Sequence, residues 1–570
     1  AGESNGETRL GQPEIGELKR EPFKAHRAVD VALEHMADER RLVGIDIDPR
    51  PFGAGARNVA VADRSPAHHT SSLELGAQSL PHLLGEVVGV ELGHGRAERL
   101  TYAVDSSRRL VDGYRESSAS RNSAVALHGG FEISPGLRSD LHVRHSEDTT
   151  GFPGGLTLAQ TEQRRIQTNS FHGHNVNELD QVSFDLTAGP WDGWTALSTV
   201  FWKRWIQTSE DSTAFNAFTV TPSRGLNLRL AHQSEGATLE HLLTTGLELM
   251  DDKAVTGDRD AFAGQDSESH RKGYGLYAEE TLTLDRTSLT AGVRFDQFRY
   301  QEALTFPDFI GTLRFQGWSP KLGLTQIVVL DRLNVFASYA RPFKAPNVDD
   351  FSARTTLNGF RGNADLEPQQ ADAYEIGARF THASGSANAT WFYSRINDEI
   401  LFNQPAGQNQ NFDTRRTGLE VSTRWQPPEA RWRSSLAYTF VAAKFIEGTF
   451  NDNTIPGTPE HTVQSSIGVS PMPRLWIDLD WRLVHDARRI NDLTNTLGGA
   501  DNYGVLNLRT SYDFPTRVGG WPSGQVYLRI ENVTNEEYVA FQSSNGSNLN
   551  GAGENPMPPI GVTTGVTIRF

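Results

Sequence analysis

His172 and His174, one residue apart and followed by Glu178 and Asp180, are the nearest approach to a metal site in this sequence. Imidazole suits several transition metals. A closed site needs further ligands at short range, and a solvated loop explains the pair without a metal, so no metal ligand is assigned. The acidic pairs Asp251-Asp252 and Asp349-Asp350 lie at or beyond expected strand ends, where they could take Ca²⁺, although the spacing of an EF-hand is absent. Asp478 and Asp480 share the polar face of one strand, where lining charge accounts for them without catalysis. No Ser/His/Asp set or paired carboxylate meets the geometric requirements of an active site. No catalytic residue is assigned, and no enzyme is expected. The richest recognition chemistry lies in and beside one loop, where Arg341, Lys344, Arg354 and Arg361 interleave with Phe343, Phe351 and Phe360. Guanidinium forks hold carboxylates through two bonds, and aromatic faces suit planar ligands. Arg341, Lys344, Arg354, Phe360 and Arg361 are therefore the candidate ligand contacts. The competing reading is that Phe343 and the prolines around it only anchor the loop.

Composition narrows what scaffold could position such a loop. The chain has 570 residues, 37% of them hydrophobic, and a mean hydropathy of −0.47. It contains no run of about 18 apolar residues that would make a helical span. Fifty-three glycines against four methionines favour turns and strands. A net charge of −16 argues against nucleic acid as the main partner, because phosphate binding needs a basic footprint. With no cysteine, disulfides, thiolate metal sites and cysteine nucleophiles are all excluded. The opening AGESNGETRL is not a secretion signal, so an exported form would be the mature chain.

Strict alternation dominates the C-terminal two thirds. Leu506, Leu508, Thr510, Tyr512 and Phe514 share one face, with Asn507, Arg509, Ser511 and Asp513 on the other. The same period of two recurs in LWIDLDWRL, in YEIGARF and in the last strand from Val562 to Phe570. A soluble sandwich and a membrane barrel both fit strands of this kind. Strand length favours the barrel: Trp194–Trp205, Leu289–Tyr300 and Ser386–Ile396 match the ~9–11 residues of a membrane strand rather than ~5–6. Charges on the polar faces suit a water-filled lumen, and aromatics near strand ends suit an interfacial girdle. Short connections (Ser134-Pro135-Gly136, Asp331-Arg332, His382–Ser386, Pro427–Arg431, Pro471–Arg474) alternate with long ones (Thr149–Leu179, Ala303–Gly317, Phe343–Ala371, Glu447–Glu460, Asp486–Tyr503, Gln542–Ile560). The fold class is thus all-β, an antiparallel transmembrane β-barrel. About nineteen strands are readable from Ser123 onward, and even closure demands at least one more upstream, in GEVVGVELGH or RLTYAVDSS.

SYARPFKAPNVDDF followed by GNADLEPQQADAYEIGARF resembles the loop signature of TonB-dependent outer-membrane receptors. VDGYRESSASRNSA and GFPGGLTLAQ resemble early barrel loops of that family, LRIENVTNEEYVAF its penultimate strand, and GVTIRF its terminal insertion signal. The signature positions are Pro342, Phe343, Pro346, Asn363, Leu366, Glu375, Asn532 and Tyr538, with Phe570 as the membrane insertion signal. The resemblance implies a 22-stranded barrel around an N-terminal plug and active import of a scarce small ligand, such as a ferric siderophore or another chelate or cofactor. It implies as partners the inner-membrane TonB complex, outer-membrane lipid and the barrel assembly machinery. It places the chain as a monomer in the outer membrane of a Gram-negative cell.

Residues 1–107 depart from the family pattern. They hold the plug position but lack recognisable plug motifs, and GQPEIGELK (Gly11–Lys19) is only a weak TonB-contacting segment. The plug is either divergent or replaced, as a shifted upstream reading frame would do. The expected division is therefore 1–107 for this segment and 108–570 for the barrel. A passive porin-like or plugless barrel remains the alternative, as does a receptor for a non-iron cofactor such as pyrroloquinoline quinone. Haem is disfavoured as cargo, because no histidine lies between Pro346 and Asn363.

Overall fold

The computed structural model describes residues 72–78, 85–168, 172–211, 216–236, 238–258, 267–305, 308–330, 332–347, 350, 363–403, 406–490, 492–497, 499–515, 523–542 and 553–569. Its strands begin with β1 (Ser72–Gln78), β2 (Gly85–Ala97), β3 (Leu100–Val111), β4 (Ser120–Ser134), β5 (Leu137–Phe152), β6 (Gly173–Trp191), β7 (Trp194–Asp211) and β8 (Asn216–Glu235). There follow β9 (Leu239–Asp258), β10 (Ser267–Leu284), β11 (Thr287–Thr305), β12 (Asp308–Val329), β13 (Leu333–Ala340), β14 (Phe343–Lys344), β15 (Gln369–His382), β16 (Gly385–Asn403) and β17 (Gln408–Trp425). The last are β18 (Trp432–Phe445), β19 (His461–Val469), β20 (Leu475–His485), β21 (Tyr503–Phe514), β22 (Ser523–Glu531), β23 (Val539–Gln542), β24 (Glu554–Pro556) and β25 (Gly561–Arg569). A short helix, α1 (Leu158–Gln163), interrupts the loop between β5 and β6.

One sheet takes up 23 of these strands, and every pairing in it is antiparallel between chain neighbours until the ends meet. β25 pairs with β22 on one side and with β1 on the other, which closes the ring. β14 resumes on β15 the pairing that β13 leaves off, so the two form one stave and the ring has twenty-two. Nineteen of these staves start at Ser120 or later, as the alternation predicts. Upstream, where at least one was required, there are three: GEVVGVELGH and RLTYAVDSS fall in separate strands, β2 and β3, and β1 precedes both. The expected boundary at 107/108 is accordingly corrected, because it cuts through β3, whose whole length pairs with β4. Residues 1–71, including Gly11–Lys19, lie outside the described residues.

Alternation decides which way each side chain points. On β10 and β12, Lys272, Tyr274, Leu276, Arg314, Gln316 and Trp318 are exposed, while Gly273, Gly275, Phe315 and Gly317 between them are buried. The exposed face carries large apolar side chains around most of the ring, among them Leu141, Val182, Phe184, Val200, Leu228, Val293, Leu322, Ile376, Trp391 and Leu479. In a closed sheet that face is the outer one, turned to lipid, and the charged face lines the lumen. Trp191 and Trp194 flank one tight turn, and Trp425 and Trp432 flank another, at the level where indole prefers to sit.

The turns and loops follow from residue type. At Asp192-Gly193 both residues have positive φ, 49° and 81°, the geometry of a two-residue hairpin turn. Gly193 has no substitute there, since a Cβ would fall 2.2 Å from the Gln233 carbonyl. Strands β6 to β12 are 18 to 22 residues long, about twice what a bilayer requires. Because their lower turns are tight, the surplus rises above the apolar belt as a tall wall on the long-loop rim. The expected long loop Ala303–Gly317 is therefore corrected. Thr305 pairs with Asp308, and the ladder runs on through Leu313–Arg314–Phe315. Above the membrane the outer positions need not be apolar, so the sequence there loses the signal that marks a strand. Asp251-Asp252, expected at a strand end, lies inside β9 for the same reason.

Val293 sits at mid-height on the lipid face of β11. Val293→Arg is expected to lower barrel stability by about 2–4 kcal/mol, measured as a fall in the urea midpoint for loss of heat-modifiable migration in lipid vesicles. An unchanged midpoint would place that face away from lipid.

Candidate ligand-binding rim

The Ser338–Asp350 segment is held by proline chemistry and by one aromatic ring. β13 stops at Ala340, and the Arg341 amide still donates to the Pro320 carbonyl at 2.9 Å. Pro342 has no N–H to continue the ladder, but its carbonyl accepts from the Ala371 amide at 3.2 Å. Phe343 and Lys344 then pair with Gln370 and Gln369. The Phe343 ring lies flat on Gly317, where any added Cβ would sit 2.2 Å from the ring. Ala345 and Pro346 are buried, and the Tyr300 hydroxyl donates to the Pro346 carbonyl at 2.9 Å. Tyr300, Phe315, Ala345 and Leu366 make one apolar cluster, with Phe298, Leu313, Phe343 and Ile400 packed around it. Burial pushes the Tyr300 phenol up from its ordinary pKa, with the nearby Arg271 opposing it. Arg271 is in turn ion-paired with Asp252.

The other candidate positions fall in several places. Arg341 bonds to Gln370 at 3.2 Å and lies 3.9 Å from Asp372, whereas Lys344 is exposed and, among the described residues, bonds to Gln369 alone, at 3.2 Å. Asn363 closes the far end of the loop: its side chain donates to the Asn409 carbonyl at 2.9 Å and accepts from the Asp365 amide at 3.1 Å. Glu375 accepts a 3.3 Å bond from Ser338. Arg354, Phe360, Arg361 and Phe570, with Phe351 and Asp349, lie outside the described residues. Asn532 adopts positive φ and ties its loop together, donating to Glu536 at 2.8 Å and Pro558 at 3.2 Å while accepting from the Glu536 amide at 2.7 Å. Tyr538 packs at a tilt against Tyr503, with ring centroids 4.7 Å apart, and burial raises its pKa.

Of the acidic pairs, Asp251 binds Arg224 and His270, and Asp252 binds Arg271 across the strand's other face. The two carboxylates therefore point apart and cannot share a Ca²⁺. His174 stands 3.6 Å from Glu210, and among the described residues no cluster of three metal-ligating side chains occurs. Asp478 is buried against Arg433 at 2.6 Å. Other lumen charges are paired too, among them Arg294 with Asp296 and Glu248, and Arg416 with Glu399. These pairs fix the wall.

Sequence reasoning missed a second set of rim residues. Arg115, in the β3–β4 loop, donates at 2.8 Å to the Gln167 carbonyl and at 3.5 Å to Asn555. Burial lowers the pKa of this guanidinium. Leu156 is fully buried and exchanges backbone bonds with Glu554 at 2.8 and 3.0 Å, and Arg489 reaches the Glu554 carboxylate at 2.9 Å. Arg165 donates to the Tyr538 carbonyl at 2.8 Å. Four long loops are thus laced into one platform. Only the capping box Thr157/Gln160 that starts α1 leaves a local signature in the sequence. Together the rim presents a floor of apolar anchors and paired charges.

Residues 106–533 match the model of a family described as "TonB dependent receptor-like, beta-barrel". Among solved structures, the chain is similar to the ferric citrate transporter FecA in its unliganded form, with TM-score 0.74, 16% identity and coverage of 88% of this chain and 78% of that one. It is also similar to the ferric yersiniabactin uptake receptor FyuA from Yersinia pestis, with TM-score 0.71, 16% identity and coverage of 89% and 81%. A third likeness is the copper transporter OprC, with TM-score 0.71, 14% identity and coverage of 88% and 80%.

Tyr300→Phe removes one buried hydrogen bond, worth about 1 kcal/mol. It should speed hydrogen exchange at the Arg341 and Ala371 amides about fivefold. Phe343→Ala should act in the same direction by about 2–3 kcal/mol. Unaltered exchange in both variants would show that the segment is held by something other than this cluster.

Proposed function

The chain belongs to the TonB-dependent receptor family, and from that premise we propose that it imports a small metal chelate across the outer membrane, energised through TonB. The observation that carries this reading is the platform of interlocked long loops on one rim of a closed 22-stranded ring. A passive pore gains nothing from a built mouth, whereas a receptor must hold its ligand before passing it inward. In this reading the long loops face the cell exterior, and Arg341, Lys344, Arg354, Phe360 and Arg361 meet the ligand. Cations interleaved with aromatic rings suit an anionic, planar-ringed chelate. A ferric siderophore is the first candidate, because FecA is a ferric citrate transporter and FyuA a ferric yersiniabactin uptake receptor. A chelate of another metal is the second, supported by the likeness to a copper transporter. The step is binding followed by gated passage, with no covalent chemistry.

Deleting the protein should impair growth on a ferric chelate under iron limitation. Its purified form should bind that chelate, and uptake should stop when the proton-motive force is collapsed. Replacing both Arg354 and Arg361 with Gln should weaken binding about tenfold or more, the loss of two charge-assisted contacts. Steady open conductance in planar bilayers, with no effect of iron on growth, would instead favour a passive barrel.

A further inference from the structure

The inner face of β3 to β7 carries a group of hydrogen-bond donors that the wall itself does not use. Strand register sets three rows across this face. The lowest is Thr101–Gly130–Asp140–Asp185–Thr199, the next Ala103–His128–His142–Ser183–Phe201, and the third Asp105–Ala126–Arg144–Gln181–Lys203. Their neighbours along the strands, Leu127, Leu141, Val182, Phe184, Val200 and Trp202, are exposed apolar residues of the lipid face. The three rows therefore look into the lumen at membrane depth. Lys203 stands eight residues before Asp211, the upper end of β7, ~27 Å along the strand.

The rows differ in how their charges are balanced. In the lowest, Asp140 and Asp185 are direct cross-strand partners, which repel unless countered. Arg138 at 2.6 Å and His128 at 2.9 Å hold Asp140, while His142 at 3.4 Å and the Thr199 hydroxyl at 2.5 Å hold Asp185. The two imidazoles stack on each other, with centroids 4.5 Å apart. In the third row Arg144 and Lys203 are exposed, Gln181 lies between them, and Ser183 sits one row below. None of these four side chains makes an ion pair or hydrogen bond among the described residues. Asp105, the acid of that row, is separated from Arg144 by the whole of β4, ~10 Å across the sheet. A recess of about 340 Å³ is bounded by Arg144, Gln181, Ser183, the two imidazoles and Asp105.

An unpaired charge that faces the interior at membrane depth marks a route for a charged solute. The donors here are a guanidinium fork, an ammonium, an amide and a hydroxyl. The fork suits a carboxylate through two bonds, and the ammonium suits a second negative oxygen. We propose that this recess is a lower station for a small polycarboxylate, held by Arg144 and Lys203 with Gln181 and Ser183 donating between them. Asp105 competes for Arg144, so the hold is reversible, as passage from site to site requires. The role in passage rests on the import reading, whereas the binding itself does not.

Calorimetric titration of the purified full chain tests this, with citrate as the polycarboxylate probe and its trimethyl ester and inorganic phosphate as controls. With Arg354 and Arg361 replaced by Gln to silence the rim, the chain should still bind citrate. Adding R144Q/K203Q should weaken that binding at least about tenfold, the loss of two charge-assisted contacts. Asp105→Asn should instead tighten it about twofold, the effect of removing one like charge ~10 Å away in water. A gain of this kind is not a result of damaged structure, and heat-modifiable migration establishes that the variants are folded. The ester should not bind. In cells given iron(III) citrate, R144Q/K203Q alone should lower uptake while leaving surface-bound iron unchanged. Citrate binding that is equal with and without R144Q/K203Q would overturn the proposal. So would phosphate binding as tight as that of citrate, which would mark a general anion site. A zero-length cross-link from Lys203 to a carboxylate of residues 1–71 would give the recess to the chain's own N-terminal segment and overturn it too. Citrate binding that depends on Arg144 and Lys203, in a protein whose deletion leaves iron uptake unchanged, would keep the site and remove the import reading.

Discussion

In a hydrocarbon medium a backbone N–H or C=O has no water to bond, and an open sheet edge leaves a row of them exposed. That constraint fixes this molecule. β25 bonds to β22 and β1 together, so the ladder has no first or last strand in the membrane. Once the ring closes with every pairing antiparallel, an even number of staves and both strand ends at one rim follow, and so does the division of each strand into a lipid face and a lumen face. The wall is not of one height. β6 to β12 run to about twice the length of β19 to β22, so the rim slopes and its tall side supports the Phe343 anchor.

Much of this was legible in the chain because a membrane imposes strict alternation only where lipid touches protein. Leu475 to Leu483 reads as a strand for that reason. Leu313–Phe315 does not, although it pairs just as fully, because Arg314 and Gln316 face headgroups or water. β1 escaped notice as seven residues of SLELGAQ, and β2 reads only as an alternative to β3, because Gly85, Gly89, Gly93 and Gly95 blur its period. The acidic pair at Asp251-Asp252 was assigned to a strand end on composition, whereas register puts its two carboxylates on opposite faces.

The rim was less legible. Its signature segment could be located because proline and aromatic residues punctuate it, and the structure shows how those residues pack: Phe343 on Gly317, Pro346 under Tyr300. The contacts that lace the loops together could not have been found from local pattern. Arg115 meets Asn555 across 440 positions of sequence, and no spacing rule reaches that far. Long-range polar contacts between irregular segments depend on where the scaffold brings the segments, so they become visible only when the ring is drawn.

The lacing of Arg115, Leu156 and Arg489 to Glu554 and Asn555 has a temporal side. These residues belong to loops on both flanks of the β25–β1 junction, the last joint that a chain can make when it forms a ring from its two ends. Arg115 and Leu156 on one flank cannot meet Asn555 and Glu554 on the other until the joint is made. Once they have met, pulling the joint apart means breaking the Leu156–Glu554 backbone bonds and the Arg115–Asn555 bond while two strands are unzipped. The loops that form the mouth of the receptor thus also act as a ratchet on its assembly: they add nothing to the first steps of folding and resist the reversal of the last.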